Sequence, residues 1–247
     1  MKRLKLVCGF LLALTTGPTW ALGFGDLAQA EAQKGFDGFA ADFANALQYR
    51  AVAPAEPLGL LGIDIGAEVT VAQVLNVADY AAVVGGVTDK LKFTLIPRLH
   101  VHKGLPFGLD VGAMYMKIPK VDFGYWGGEI RYSFISGNLA IPAVAVRGTY
   151  STIMGFDAAD LSTMGLELTV SKGFLMLTPY AGAGMVKSNA STTAKIPVLN
   201  TAFKDYSETV TKWFVGFNFN MGLLNFAGEM DQTGEYRNYS AKLGFRF

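Results

Sequence analysis

The chain of 247 residues holds one cysteine, Cys8, and two histidines, His100 and His102. With Cys8 so near the start, everything downstream lacks a disulfide framework and a thiol site. Long apolar runs are missing as well. Past residue 21 no uncharged stretch reaches the roughly 20 residues that a helix needs to cross a bilayer. Nor is there an excess of charge of one sign: 21 Lys and Arg stand against 20 Asp and Glu, a net charge of +1, which removes any electrostatic case for nucleic acid. The glycine pairs Gly85-Gly86 and Gly127-Gly128 lack the lysine and the strand–loop–helix setting of a phosphate loop. The sequence therefore implies no cofactor, and no metal beyond what the two histidines alone could suggest.

What is plentiful is glycine, at 29 residues, and apolar side chains, at 51%, of which the aromatics are a large share. The address comes first. Met1-Lys2-Arg3-Leu4-Lys5 is a basic head, Leu6 to Leu14 a short apolar core, and Thr19-Trp20-Ala21 ends on a small residue. That pattern predicts a secretory signal peptide over residues 1–21, cut after Ala21, with Cys8 inside it and away from the position of a lipoprotein cysteine. An exported, apolar chain without a helical span points to a barrel.

Residues 22–57 form a separate region. Phe36, Phe39, Ala40, Phe43 and Leu47 recur at helical spacing with Asp37, Asp42, Asn45 and Gln48 between them. Residues 51–57, with Pro54 and Pro57, break the helix and act as a linker. Three placements fit this amphipathic helix: a plug in a barrel lumen, a helix on the inner leaflet or in the periplasm, or an ordinary helix packed beneath the barrel mouth.

From Leu61 the period switches to two and stays there over residues 58–247. Leu61, Ile63, Ile65, Ala67, Val69 and Val71 alternate with Gly62, Asp64, Gly66, Glu68 and Thr70. A second strand spans about Leu91–Val101, where Pro97 calls for a bulge. Others centre on residues 107–115, 126–134, 144–151, 163–171, 177–186, 212–220, 224–230 and 239–247, the faces of 177–186 being unassigned. That makes about ten strands; eight and twelve are the alternatives. Tight turns near 104, 137, 173 and 222 then share one side. Longer connections near 75–90, 117–122, 155–160, 188–207 and 231–235 share the other. Aromatics gather at the strand ends: Phe107, Phe134, Phe174, Phe226 and Phe247 on the turn side, Tyr115, Trp126 and Trp213 on the loop side, as two interfacial girdles require.

The last nine residues make the case most compactly. Tyr239, Ala241, Leu243, Phe245 and Phe247 alternate with Ser240, Lys242, Gly244 and Arg246, and such a strand would aggregate at a soluble edge. This ending resembles the C-terminal strand of Gram-negative outer-membrane barrels. The resemblance implies that Tyr239, Leu243, Phe245 and Phe247 form the signal read by the barrel-assembly machinery, and that outer-membrane lipid is the partner of the outer face. Thr178-Pro179-Tyr180-Ala181-Gly182-Ala183-Gly184 resembles strands of small outer-membrane barrels. Pro54 to Gly59 followed by Gly62 to Gly66 is similar to uncharacterised proteobacterial outer-membrane proteins, which carry no activity over. The expected fold is an all-β, closed antiparallel transmembrane barrel with an N-terminal amphipathic helix, of open oligomeric state.

The inward row collects both signs: Asp64, Glu68, Asp110, Glu129, Glu167 and Glu229 against Lys92, Arg98, Arg131, Arg147, Lys212, Lys242 and Arg246. Such charges must be paired or wetted, since burial otherwise costs several kcal/mol per ion. Two readings follow: a salt-bridged polar core, or a water path gated by that network or by the helix carrying Phe36, Phe39, Phe43 and Leu47. His100 and His102 share one face of a strand, about 6–7 Å apart. Outer-membrane lipid deacylases, phospholipases and omptin proteases each use a histidine with defined partners, and no His-Ser-Asn run or paired-acid motif here matches them. The expectation is therefore mouth-lining histidines and no enzyme. The leading function is a passive channel or small-molecule transporter. The rivals are a structural or surface-interaction barrel working through residues 75–90 and 188–207, and a barrel-embedded lipid-modifying enzyme or protease.

Overall fold

A strand that is oily on one face and polar on the other is stable only when each face finds its own solvent. In the computed structural model, which describes residues 29–80, 91–117, 123–138, 140–155, 159–193, 195–196 and 201–247, ten such strands close on themselves. The expected signal peptide, its cleavage site and Cys8 lie outside the described residues. The wall consists of β1 (Ile63–Gln73), β2 (Phe93–Gly104), β3 (Leu109–Lys117), β4 (Gly124–Ile135), β5 (Ala143–Met154), β6 (Ala159–Ser171) and β7 (Leu177–Thr192). After a small hairpin, β8 (Lys195–Ile196) and β9 (Thr201–Ala202), come β10 (Tyr206–Met221), β11 (Leu224–Thr233) and β12 (Tyr236–Arg246). Sequential neighbours pair antiparallel, and β1 closes on β12 from Asp64↔Arg246 to Val71↔Tyr239. Closure leaves no unpaired edge, which is what lets a sheet cross lipid.

The alternation is clean. On β12, Tyr239, Ala241, Leu243 and Phe245 are exposed while Asn238, Ser240 and Lys242 are buried. All eight girdle aromatics are exposed on the outside. Leu166 lies at the middle of β6, 63% exposed, with Leu168 and Met164 on the same face. Leu166→Arg is expected to cost about 2–4 kcal/mol, the penalty for a cation at the bilayer midplane. Urea titration of the protein in lipid vesicles checks this; an unchanged midpoint would mean that the face does not meet lipid.

One end carries the connections at 105–108, 136–142, 172–176 and 222–223, together with the C-terminus; the other carries those at 74–92, 118–123, 155–158 and 193–205 and the two-residue turn at 234–235. Short turns are periplasmic and long loops external in this architecture, so the two ends are called inner and outer below.

Several boundaries differ from the sequence reading. β2 starts at Phe93, so Lys92 falls before the strand and is exposed at the outer end instead of lining the lumen. Pro97 needs no bulge: it stays in register opposite Val69, and the β2–β3 ladder starts only at Leu99↔Tyr115. The register shift occurs between Ser133 and Ile135 of β4. Phe107 sits in a 3-10 turn with φ 64°, ahead of β3. Much of the polar stretch 188–207 is strand, because β7 and β10 each run 16 residues and stay paired to Tyr206↔Ala190. Asp231 belongs to β11, leaving Gly234-Glu235 as the turn. On β7, Tyr180 and Thr178 point inward and Pro179 and Ala183 outward.

Candidate functional site: a plugged lumen

The lumen is occupied by the chain's own N-terminal arm. Helix α1 (Gln29–Leu47) packs against β1, β2, β6, β7 and the short helix α2 (Val77–Tyr80). Its Phe36, Ala40, Phe43 and Leu47 are buried and Phe39 partly so. Phe39 stacks on Phe43, 5.4 Å apart, and meets the edge of Tyr80 at 5.6 Å; Phe43 lies 5.7 Å from Phe123. The apolar stripe thus fills the outer half of the lumen with ring contacts.

Asp42, on the other side of α1, fastens the helix to the rim. Its carboxylate accepts hydrogen bonds from the backbone N–H of Leu75 (3.1 Å) and Asn76 (3.0 Å), from Asn76 Nδ2 (3.0 Å), and from the hydroxyls of Tyr80 (2.8 Å) and Tyr236 (2.9 Å). Burial pushes the Asp42 carboxyl above its ordinary range, against the pull of these donors. Burial, followed by the neighbouring carboxylate, pushes the Tyr80 phenol up.

After Leu47 the arm is extended, as Pro54 and Pro57 require. It descends the lumen with its backbone held by inward side chains. Arg98 Nη2 donates to Ala46 O (2.6 Å), Ser151 Oγ to Leu47 O (3.1 Å), Arg131 Nη1 to Pro54 O (2.7 Å) and Ser133 Oγ to Ala55 O (2.7 Å). Ala55 N donates to Ser171 Oγ, and Leu58 N to Asp110 Oδ1, both at 3.1 Å. Arg50 Nε reaches Asp231 Oδ1 at 2.6 Å, and Tyr49 OH lies 3.2 Å from His102 Nε2. Gly112 makes that last contact possible, since a Cβ there would sit 2.4 Å from the His102 ring and 2.8 Å from the Tyr49 hydroxyl. Val52, fully buried, has φ 46°, a conformation a β-branched residue adopts only when its surroundings enforce it.

With Lys92 excepted, the structure brings the inward charges together in linked groups. Asp64 binds Lys242 (3.3 Å) and Arg246 (2.7 Å). Glu68 binds Arg98 (2.8 Å) and His100 (2.5 Å), and Asp110 binds Arg131 (2.5 Å). Glu167 holds Arg147 and Lys212, the latter at 2.7 Å, and the Phe214 ring lies 5.4 Å from each cation. Glu129 faces His102 at 3.5 Å and Arg147 at 3.7 Å, and Glu229 accepts from Tyr180 OH (3.0 Å). The histidine rings stack 5.8 Å apart and are buried, not open to a mouth. Among the described residues no three His, Cys, Asp or Glu side chains are grouped to hold a metal ion. Not every buried atom is matched: both Glu129 oxygens, His102 Nδ1, Arg147 Nη1, Asn218 Nδ2 and Glu229 Oε1 have no aligned hydrogen-bond partner. In native interiors such groups are met by ordered water.

Sequence reasoning missed Asp42, Tyr49 and Arg50. A charge at Asp42 beside an aromatic stripe, and Arg50 closing a helix ahead of two prolines, look like solvated positions until the lumen supplies partners. Tyr180, and Tyr125 of β4, which is buried and accepts a hydrogen bond from Arg98 Nε, were hidden because an inward tyrosine breaks the polar–apolar rule by which strand faces are read.

A closed ten-stranded wall, greasy outside and ionic within, defines an outer-membrane β-barrel. Within that class the chain belongs to the family of unknown function DUF6588, whose model matches residues 64–247, the barrel without its arm. No curated protein matches the sequence. Among solved structures it is similar to the N-terminal β-barrel domain of Pseudomonas aeruginosa OprF, at 13% identity and TM-score 0.38, over 76% of this chain and 99% of that one. It is similar also to the β-domain of the Bordetella autotransporter BrkA, at 10% identity and TM-score 0.44, over 75% and 100%. The KdgM porin, solved with disordered oligogalacturonate, is 10% identical with TM-score 0.36, over 76% and 99%.

Proposed function

We propose that the protein is a passive channel or small-molecule transporter of the outer membrane, closed in this state by its N-terminal arm, and not an enzyme. One observation carries the reading. The lumen is filled by a segment that precedes the barrel in sequence, while the wall behind it is charged and polar. A wall built only to be a dry core would be apolar, because replacing buried ion pairs by packed hydrophobic groups is often neutral or stabilising. A wall that grips an extended arm through hydrogen bonds to its backbone keeps a polar surface ready for water when the arm moves. The buried polar atoms on Glu129, Arg147, Asn218 and Glu229 that lack a hydrogen-bond partner fit the same reading. Partners at this level are the surrounding lipid and, during biogenesis, assembly machinery reading Tyr239, Leu243, Phe245 and Phe247.

Planar-bilayer recording tests it. The mature protein is expected to be closed or to open briefly, and the protein lacking residues 29–57 to conduct steadily. Silence from both rejects the channel.

A second reading rests on the length of β7 and β10. At 16 residues they exceed the roughly 9–11 that span a bilayer, so they extend the sheet beyond the outer girdle. There Tyr150, Asp160, Asn189 and Asp205 border a groove of about 490 Å³. A surface-interaction barrel would use this extension. Shortening the β7–β10 connection should then abolish partner binding with assembly intact, while unchanged binding removes the idea.

A further inference from the structure

The arm has a direction. Near its start, Gln33 exchanges two hydrogen bonds with the backbone of Lys204 (3.1 and 2.9 Å), Lys34 Nζ lies 2.7 Å from Asp79 Oδ1, and Phe36 lies 5.4 Å from Phe203. Lys204, Asp79 and Phe203 all belong to connections of the outer end. At the arm's other limit, Leu58 N meets Asp110 near the start of β3, Lys103 Nζ donates to Leu60 O (2.6 Å), and Ile63 N donates to the carbonyl of Phe247 (3.1 Å). These belong to the inner end. In between, residues 40–55 are almost wholly buried inside a ring whose β1–β12 seam is paired over eight positions. The chain therefore enters the lumen from the turn side and surfaces on the loop side, and the wall gives it no lateral way out.

We propose that this barrel threads its N-terminal arm through the outer membrane and displays the start of α1 on the cell surface. The claim goes beyond conductance and stands whether or not the lumen ever opens. It follows from where the two ends of the arm are tied and from which side of a barrel bears the long loops.

Thiol labelling on whole cells tests the proposal with the full chain. Single cysteines are introduced as Lys34→Cys at the start of the arm, Glu235→Cys in the outer β11–β12 turn, and Leu61→Cys at the inner end; all three native side chains are exposed. The unaltered protein, whose one cysteine is Cys8, gives the background. A membrane-impermeant maleimide is expected to label Lys34→Cys and Glu235→Cys on intact cells as fully as after the envelope is opened. Leu61→Cys should gain its label only after opening. If Glu235→Cys reacts on intact cells and Lys34→Cys does not, the threading is wrong. If Leu61→Cys alone reacts on intact cells, the barrel is inverted and the proposal falls with it. Glu31→Cys, also exposed, gives a second reading of the same point should Lys34→Cys assemble poorly. None of these readouts depends on ion flow, so a silent bilayer recording would leave the threading standing.

Discussion

Glu167→Ala is expected to destabilise the barrel by about 3–5 kcal/mol, the cost of removing one partner from a buried ionic cluster. Glu167 serves two cations at once. Arg147 and Lys212 both bind its carboxylate, all three side chains are about 1% exposed, and the two cations flank Phe214. Removing the acid leaves two positive charges together, with Glu129 the nearest remaining carboxylate, 3.7 Å from Arg147. Glu167→Gln, which keeps the shape and one acceptor, should lose less. Urea midpoints in lipid vesicles measure both variants. The result also separates the two readings of the inward charges. A loss of several kcal/mol means that the cluster lies in a low-dielectric core sealed by the arm. A loss below ~1 kcal/mol, the level of an exposed pair, means that water reaches Glu167 in this state.

How much of this was visible beforehand follows from which rule each residue obeys. The wall was legible because lipid outside and polarity inside impose a period of two, so Leu166, Glu167 and Leu168 declare their faces without help. The charge partners were not, since Glu167↔Arg147 is set by the β5–β6 register, and register depends on turn lengths that boundaries blur. Lys92 shows the limit of periodicity: the right parity for the lumen means nothing once the strand has ended. Pro97 shows another, since an end of a ladder excuses a missing N–H as well as a bulge does. The helix of the arm was readable from Phe36, Phe39, Phe43 and Leu47, but its location was not, because an aromatic stripe fits any apolar wall. What decides its place is Asp42 and Arg50, polar groups that identify their surroundings only through partners 33 to 194 positions away.

Asp42→Ala is expected to loosen the arm without touching the barrel wall. Asp42 gathers five donors from Leu75, Asn76, Tyr80 and Tyr236, none of which pairs within the ladder through those atoms. Losing the carboxylate takes the acceptor from the buried Tyr80 hydroxyl and from the half-buried donors of Leu75, Asn76 and Tyr236, at about 1–3 kcal/mol for each one left buried and unsatisfied. The ten-stranded ladder keeps its pairs, so the urea midpoint of the wall should move far less than for Glu167→Ala. The arm, in contrast, loses its main polar tie to the rim while retaining the ties of Arg50, Arg98 and Arg131 deeper in the lumen. In bilayer recording, Asp42→Ala should therefore open in bursts, between the closed unaltered protein and the steadily conducting one without residues 29–57. Asp42→Asn, able to accept at only one oxygen, should fall between Asp42→Ala and the unaltered protein. If Asp42→Ala destabilises the whole barrel as much as Glu167→Ala does, with no gain in opening, then α1 is part of the barrel's permanent core and the arm is not a gate.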